Sequence, residues 1–250
     1  QQSALVDLNN ARYHAAVAHQ LLGEYEPALN LFEKVAEMDE TEQFRPPSLL
    51  ALGGLYEKEK RYDEAIRAYE GASLSLKEPK GAALTLQRIG EISLLLVKYD
   101  TAIHSYQGLL ERYPQSEYAP AAQYFIGVCY ANAVPPPNPP APFPTQEGGE
   151  LPSPRRGGAG GEVSMAERSG TGDNIDLALA AYERVIQNYP DSELVIDAYW
   201  NAATLSDQHG NKSRAFHYAE QIIDRYAQSN DTHAQELVYS ARNLTSNLLL

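Results

Sequence analysis

The sequence predicts an all-α solenoid of about five helix pairs, followed by one more helix that covers the last pair. The first observation is a set of alanines spaced by 37, 37, 76 and 37 residues, the long interval being one period plus 39 inserted residues. The second is a small residue twelve positions before each alanine, inserted residues left out, in a segment whose apolar residues recur at three and four. Such a period is typical of stacked two-helix units. The alanines are Ala28, Ala65, Ala102, Ala178 and Ala215, and the small residues are Ala16, Gly53, Gly90, Gly127 and Ala203.

Each repeat is therefore predicted to form a helix, a tight turn and a second helix, and we number the units 1 to 5 in chain order. At two joints between units stand Tyr113-Pro114-Gln115-Ser116 and Tyr189-Pro190-Asp191-Ser192. Proline ends a helix and serine favours the start of the next, so both joints predict a boundary between units.

The pattern resembles the tetratricopeptide repeat, which has Leu-Gly-x-x-Tyr in its first helix and Ala-x-x-x-Phe in its second. Unit 2 carries it through Leu52, Gly53, Tyr56, Ala65 and Tyr69. The resemblance covers roughly residues 9–228 outside the insertion. It implies a right-handed solenoid that binds proteins and carries no catalytic centre or cofactor.

The Tyr-Pro-x-Ser joint also resembles the tetratricopeptide proteins of bacterial cell envelopes. These include outer-membrane assembly lipoproteins and the periplasmic TolA-binding family. The resemblance implies a periplasmic, outer-membrane-associated or extracellular location, while a cytoplasmic location stays open. The start of the chain, Gln1-Gln2-Ser3, lacks the basic and apolar regions of a signal peptide, so a signal or lipid anchor before it stays an open question.

Residues 134–173 interrupt the pattern and hold 9 of the 16 prolines and 8 of the 17 glycines. With almost no apolar residues to offset the entropy cost of ordering, this insertion is predicted to be disordered. The predicted organisation is units 1 to 3 and the first helix of unit 4 in 1–133, the insertion in 134–173, the second helix of unit 4 and unit 5 in 174–228, and a last segment in 229–250.

The last segment is predicted to form a helix, because Thr232 and Gln235 match a capping box at its start. One interpretation is a helix that caps the solenoid. The other is the first helix of a truncated sixth unit, and whether further repeats follow stays open.

Composition excludes several classes of function. Twenty basic against 33 acidic side chains give a net charge of −13 with no basic cluster, which disfavours nucleic-acid binding. The sequence has no run of 18 apolar residues, so no membrane-spanning segment is predicted. The single cysteine, Cys129, lies in an apolar helical segment and is predicted to be a buried structural thiol.

No motif predicts catalysis, a cofactor or a metal. The six histidines include no pair at i, i+4, and the Gly-Gly pairs of the insertion lack the flanking strand and helix of a phosphate loop. Asn211, Asn230 and Asn243 begin glycosylation triplets, which matter only in a secreted chain.

The family's groove-facing spacing predicts two rows of partner-binding residues on the first helices. Aromatic residues in such rows suit the binding of a helix or extended peptide. The alternative is that the aromatic residues only pack between neighbouring helices. The rows are Tyr13, Leu50, Gln87, Tyr124 and Trp200, and then Val17, Gly54, Glu91, Val128 and Thr204.

Three hypotheses for function follow. The first is a non-catalytic scaffold of a bacterial envelope or extracellular assembly that binds a partner protein through the inner surface of the solenoid. The second is a structural subunit that coats or builds a polymer or filament, with homo- or hetero-oligomeric assembly left open. The third is the regulatory arm of a longer enzyme.

Overall fold

The computed structural model describes residues 2–38, 43–133 and 171–249. Within these ranges the chain forms eleven α-helices and no strand, which confirms the predicted all-α solenoid of helix pairs. The helices are α1 (Gln2–Leu21), α2 (Tyr25–Met38), α3 (Arg45–Lys58), α4 (Tyr62–Ser75), α5 (Pro79–Leu95), α6 (Tyr99–Arg112), α7 (Ala119–Asn132), α8 (Thr171–Asn188), α9 (Leu194–Gln208), α10 (Lys212–Tyr226) and α11 (Thr232–Leu248).

The helices pack in chain order, each on the one before it. The pairs from α1/α2 to α9/α10 are the five predicted units, and α11 packs on α10. The first helices α5, α7 and α9 also contact one another in succession, and α9 contacts α11. The first helices therefore form one continuous side of the stack, which we call the inner surface.

In each of units 2 to 4, a tyrosine of the second helix packs directly against a glycine of the first helix. A Cβ on Gly127 would lie 2.6 Å from Cε1 of Tyr182, closer than real Cβ contacts occur. Gly53 with Tyr69 and Gly90 with Tyr106 repeat this arrangement. The small residue predicted from the sequence thus lets two helices approach until the ring touches backbone.

The turn between the two helices of a unit uses one residue in the left-handed conformation. In unit 1 this is Gly23, and the amide of Glu24 donates to the carbonyl of His19 across the turn. This bond belongs to the Schellman motif, which satisfies the last carbonyls of a helix. The same position is filled by Lys60 in unit 2, Val97 in unit 3 and Gly210 in unit 5.

In unit 4 the insertion begins at this turn position. Counting by period, the equivalent sequence position is 134, where the predicted insertion starts. Residues 134–170 of the insertion lie outside the described residues, and α8 begins at Thr171, four residues earlier than the other second helices do relative to their alanine. Helices α7 and α8 still pack against each other as a pair.

At the joints between units, the prolines follow the helix ends as predicted, but the serines are not the N-caps of the next helices. Pro114 and Pro190 follow the ends of α6 and α8. The serine hydroxyl of the second joint accepts from the amide of Leu194 at 3.2 Å, and that of the first accepts from Tyr118 at 3.3 Å. Each serine lies one or two residues ahead of the N-cap, so it orders the entry into the helix rather than capping it.

The start of α11 differs from the predicted capping box. Asp231 is the N-cap, since its carboxylate accepts from the amide of Ala234 at 2.7 Å. Gln235 instead donates back to the carbonyl of Ser229 at 2.7 Å. The prediction at Thr232 was wrong by one residue because Asp and Thr are both good N-caps. The inward side of α11 buries Ala234, Leu237, Val238 and Ala241.

Candidate functional site

Two cavities open on the inner surface, at different junctions between units. The first lies between units 2 and 3, has a volume of about 440 Å³ and is lined by Leu50, Gly54, Glu57, Lys58, Tyr69, Leu84 and Arg88. We call it the charged cavity. The second lies between units 4 and 5, has a volume of about 410 Å³ and is lined by Tyr124, Val128, Ala131, Asn132, Tyr182, Asn201, Thr204, Leu205 and Gln208. We call it the neutral cavity.

The two cavities are lined by equivalent positions of the repeat. When the inserted residues are left out of the count, six lining positions correspond one to one. They are Leu50 with Tyr124, Gly54 with Val128, Glu57 with Ala131, Lys58 with Asn132, Tyr69 with Tyr182, and Arg88 with Asn201.

An ion-pair network crosses the charged cavity. The guanidinium of Arg88 donates to Glu57 Oε1 at 2.6 Å, and to Glu91 Oε2 at 2.6 Å. Glu57 also accepts from the hydroxyl of Tyr69 at 2.7 Å. Burial lowers the pKa of Arg88, but the bonds to Glu57 and the charge of Glu91 outweigh it, so this pKa is raised. Arg88 therefore stays charged at any physiological pH.

The neutral cavity is lined by hydroxyl and amide groups. Asn201 donates to the hydroxyl of Tyr124 at 2.7 Å, which joins units 4 and 5 across it. Burial raises the pKa of Tyr124, and of Tyr182, so both phenols stay neutral. Asn132 donates to the carbonyl of Val128 in its own helix at 2.8 Å.

The junction between units 3 and 4 has an aromatic residue where the two cavities have a charged or an amide group. Phe125 stands where Arg88 and Asn201 stand at the other junctions, and its ring stacks on Tyr106 with centroids 5.8 Å apart. Leu94 and Leu95 take the positions of Glu57 and Lys58. The inner surface therefore has an aromatic block between its two cavities.

The structure brings only some of the predicted groove residues to open surface. Leu50 and Gly54 line the charged cavity, and Tyr124, Val128 and Thr204 line the neutral cavity. All five lie on first helices, α3, α7 and α9.

The other predicted residues are mostly engaged in packing. Tyr13 lies against Phe44, with ring centroids 5.3 Å apart, and Val17 packs on the core of units 1 and 2. Gln87 is only 4% exposed and donates to Glu91 at 2.9 Å. The remaining residue of the first row, Trp200, is half-buried against the core of units 4 and 5.

Sequence reasoning missed four residues that define the cavities: Glu57, Arg88, Tyr182 and Asn201. The prediction followed two rows of the first helices. Glu57, Arg88 and Asn201 lie on first helices outside those rows, and Tyr182 lies on the second helix of unit 4. The signal was available in the period, because Arg88, Phe125 and Asn201 occupy one repeat position with three different chemistries.

Chemistry other than binding has little support in the described residues. No three His, Cys, Asp or Glu side chains in residues 2–38, 43–133 and 171–249 are placed to hold a metal ion. Cys129 is fully buried, and burial raises the pKa of its thiol to about 12. No helix in those ranges combines the length and apolar character needed to cross a membrane.

Stacked helix pairs with cavities along their first helices define an α-solenoid repeat protein. Family models of the tetratricopeptide repeat match residues 10–42, 48–83, 74–116 and 163–192, together more than half of the chain. The chain belongs to the tetratricopeptide repeat proteins. This fold is that of a protein–protein interaction scaffold. A search of curated protein sequences finds no match.

Several solved structures share the fold. A crystal structure of MamA protein aligns with a TM-score of 0.57 and 15% identity over 90% of this chain and 96% of that chain. A tetratricopeptide repeat protein from Parabacteroides merdae ATCC 43184 gives 0.56 and 12% over 96% and 72%. YrrB, described as a tetratricopeptide protein with an unusual peptide-binding site, gives 0.55 and 17% over 94% and 98%. At these identities the likeness concerns the fold alone.

Proposed function

We propose that this protein is a non-catalytic scaffold that binds a segment of a partner protein along its inner surface. The observation that carries the proposal is the pair of open cavities at equivalent repeat positions of units 2/3 and 4/5. A partner segment that lies along the first helices meets both cavities, because the repeats present them on the same side.

The geometry favours an extended segment over a third layer of helix. Each cavity has the size of a small-ligand pocket, which lies at about 300–1,000 Å³, and suits single side chains that project from a chain. The solved structure of YrrB, described as having a peptide-binding site, gives a precedent on the same fold.

We further propose that the scaffold serves a bacterial envelope or extracellular assembly. The support is the Tyr-Pro-x-Ser joint at Tyr113 and Tyr189, which resembles envelope tetratricopeptide proteins. Expression of the complete reading frame with a C-terminal tag, followed by cell fractionation, tests this. Recovery of the protein in the cytosol alone would contradict the location and leave the binding proposal standing.

The binding proposal is tested by blocking each cavity at the same repeat position. Gly54→Phe and Val128→Phe place a ring at the mouth of the charged and the neutral cavity respectively. Twelve-residue peptides enriched from a random displayed library on the unmodified chain serve as probes, and fluorescence anisotropy measures their affinity. At least one variant should lower the affinity tenfold or more.

Tyr239→Ala is the matched control, since Tyr239 is 68% exposed on α11 and lies in neither cavity. It should leave the affinity unchanged. Circular dichroism confirms that the three variants keep their helical content. Undiminished binding by both blocked variants, or failure of the library to yield any binding peptide, would refute binding through the inner surface.

A further inference from the structure

We infer that the neutral cavity is the specificity pocket of this scaffold, and that it takes an uncharged aromatic side chain with a polar tip, tyrosine being the best match. The inference rests on the proposed binding of a partner segment along the inner surface. It specifies which kind of partner side chain the inner surface prefers and places its binding site between units 4 and 5.

The first argument is the loss of charge at the two positions that control the pocket. In unit 2 the repeat has Glu57, and unit 3 sends Arg88 across to it. In unit 4 the first position is Ala131, and unit 5 supplies Asn201 at the second. No charged side chain lines this cavity in the described residues. A charged group entering it would lose hydration and gain no ion pair, so the cavity selects against charge.

The second argument is a hydroxyl left without an acceptor. Tyr69 donates to Glu57 in the charged cavity, at 2.7 Å. Tyr182 lies against its glycine in the same orientation, but the position of that acceptor is taken by Ala131. Among the described residues no protein group pairs with the Tyr182 hydroxyl, and this oxygen is not one of the fully enclosed polar atoms without a partner. It is therefore open to the cavity and can donate to a group that enters.

The third argument is the distribution of apolar and polar surface. Most of the cavity surface is polar, with Asn132, Asn201 and Gln208 in its lining, and Val128 and Leu205 supply a smaller apolar part. An aromatic side chain with a polar tip matches both, since its ring can pack on the apolar part while its tip forms hydrogen bonds with the polar groups. Leucine or phenylalanine would cover those polar groups without pairing them, which costs free energy.

The charged cavity is a poor alternative site for the same side chain. A ring placed over the pair of Glu57 and Arg88 would take two charges out of water, and the cost of this desolvation opposes its binding. The inference therefore predicts that the aromatic anchor binds between units 4 and 5, and that its neighbours in the partner segment lie over the Phe125 block and towards unit 2.

The experiment transplants the charged chemistry into the neutral cavity. The double substitution Ala131→Glu with Asn201→Arg copies the residues of the charged cavity onto equivalent positions. The probes are the enriched twelve-residue peptides and versions of each with the anchor tyrosine changed to alanine. On the unmodified chain the anchor change should weaken binding tenfold or more. On the double variant both versions should bind alike, with the weak affinity of the alanine peptide.

Gly54→Phe is the matched control, because it blocks the charged cavity and should leave the anchor preference intact. Enriched peptides without a shared aromatic residue would overturn the inference. So would an anchor effect that survives in the double variant at full size. Both outcomes leave binding through the inner surface standing if Val128→Phe still weakens affinity. A library that yields no binding peptide overturns the proposed function and this inference together.

Discussion

Substituting Gly90 by alanine tests whether the contact between glycine and tyrosine holds the units together. A Cβ at this position would lie closer than 3.0 Å to three ring atoms of Tyr106. The ring cannot move away freely, because it is fully buried and Phe125 stacks on it, with centroids 5.8 Å apart. Overpacking a core costs about 1–3 kcal/mol, while alanine gains about 1 kcal/mol over glycine in a helix. We expect a net loss of up to about 2 kcal/mol.

Gly108→Ala is the control, since Gly108 also lies inside a helix but a Cβ there would meet nothing within 4 Å. It should stabilise the protein by about 1 kcal/mol. Urea unfolding followed by circular dichroism measures both variants. The double substitution with Tyr106→Ala should remove the penalty at position 90, as a double-mutant cycle shows. If Gly90→Ala is as stable as Gly108→Ala, the explanation of the small residue by close approach of the ring is refuted.

Two further predictions concern the turns and the buried phenols. Val97 adopts a left-handed conformation at φ 60°. This conformation costs a residue with a Cβ about 1–2 kcal/mol, so Val97→Gly should raise the free energy of unfolding by about 1 kcal/mol. A lower urea midpoint would contradict this prediction. Burial and the hydrogen bond to Glu33 raise the pKa of Tyr56 to about 12, whereas an unfolded tyrosine titrates near 10. The unfolded state therefore loses its proton first, so stability should fall as pH rises from about 10 to 12. Tyr56→Phe should reduce that slope, to which other buried tyrosines such as Tyr218 also contribute, and an unchanged slope would exclude Tyr56 as one of its sources.

The fold could be predicted from the sequence because the constant spacing of the repeat shows which residues are equivalent in successive units. Ala65 and Gly53 are typical of the residues that fixed it, since both touch the partner helix of their own unit, and that contact recurs every period. The turns were harder. Gly23 and Gly210 suggest a left-handed residue, but Lys60 and Val97 adopt the same conformation without being glycine. Packing of the two flanking helices imposes that conformation where local preference opposes it.

The cavities could be predicted only in part, because they depend on which side chain the first helix of the next unit places at the junction. Leu50 and Tyr124 were found through the family's spacing, and both line a cavity. Gln87 has the same repeat position but is buried, at the junction where Phe125 stacks on Tyr106. Whether a position opens or closes is thus decided by a residue in the next unit, and a pattern read one unit at a time does not contain it.

The left-handed turn has a consequence for how such a chain can grow. At Gly23, Lys60, Val97 and Gly210 the backbone reverses between the two helices of a unit. Unit 4 has 39 extra residues at this place, and its two helices still pair. The turn within a unit is therefore a site that should tolerate inserted sequence. A fluorescent domain or an affinity tag could be inserted after Lys60 or Gly210, and each repeat has one such site.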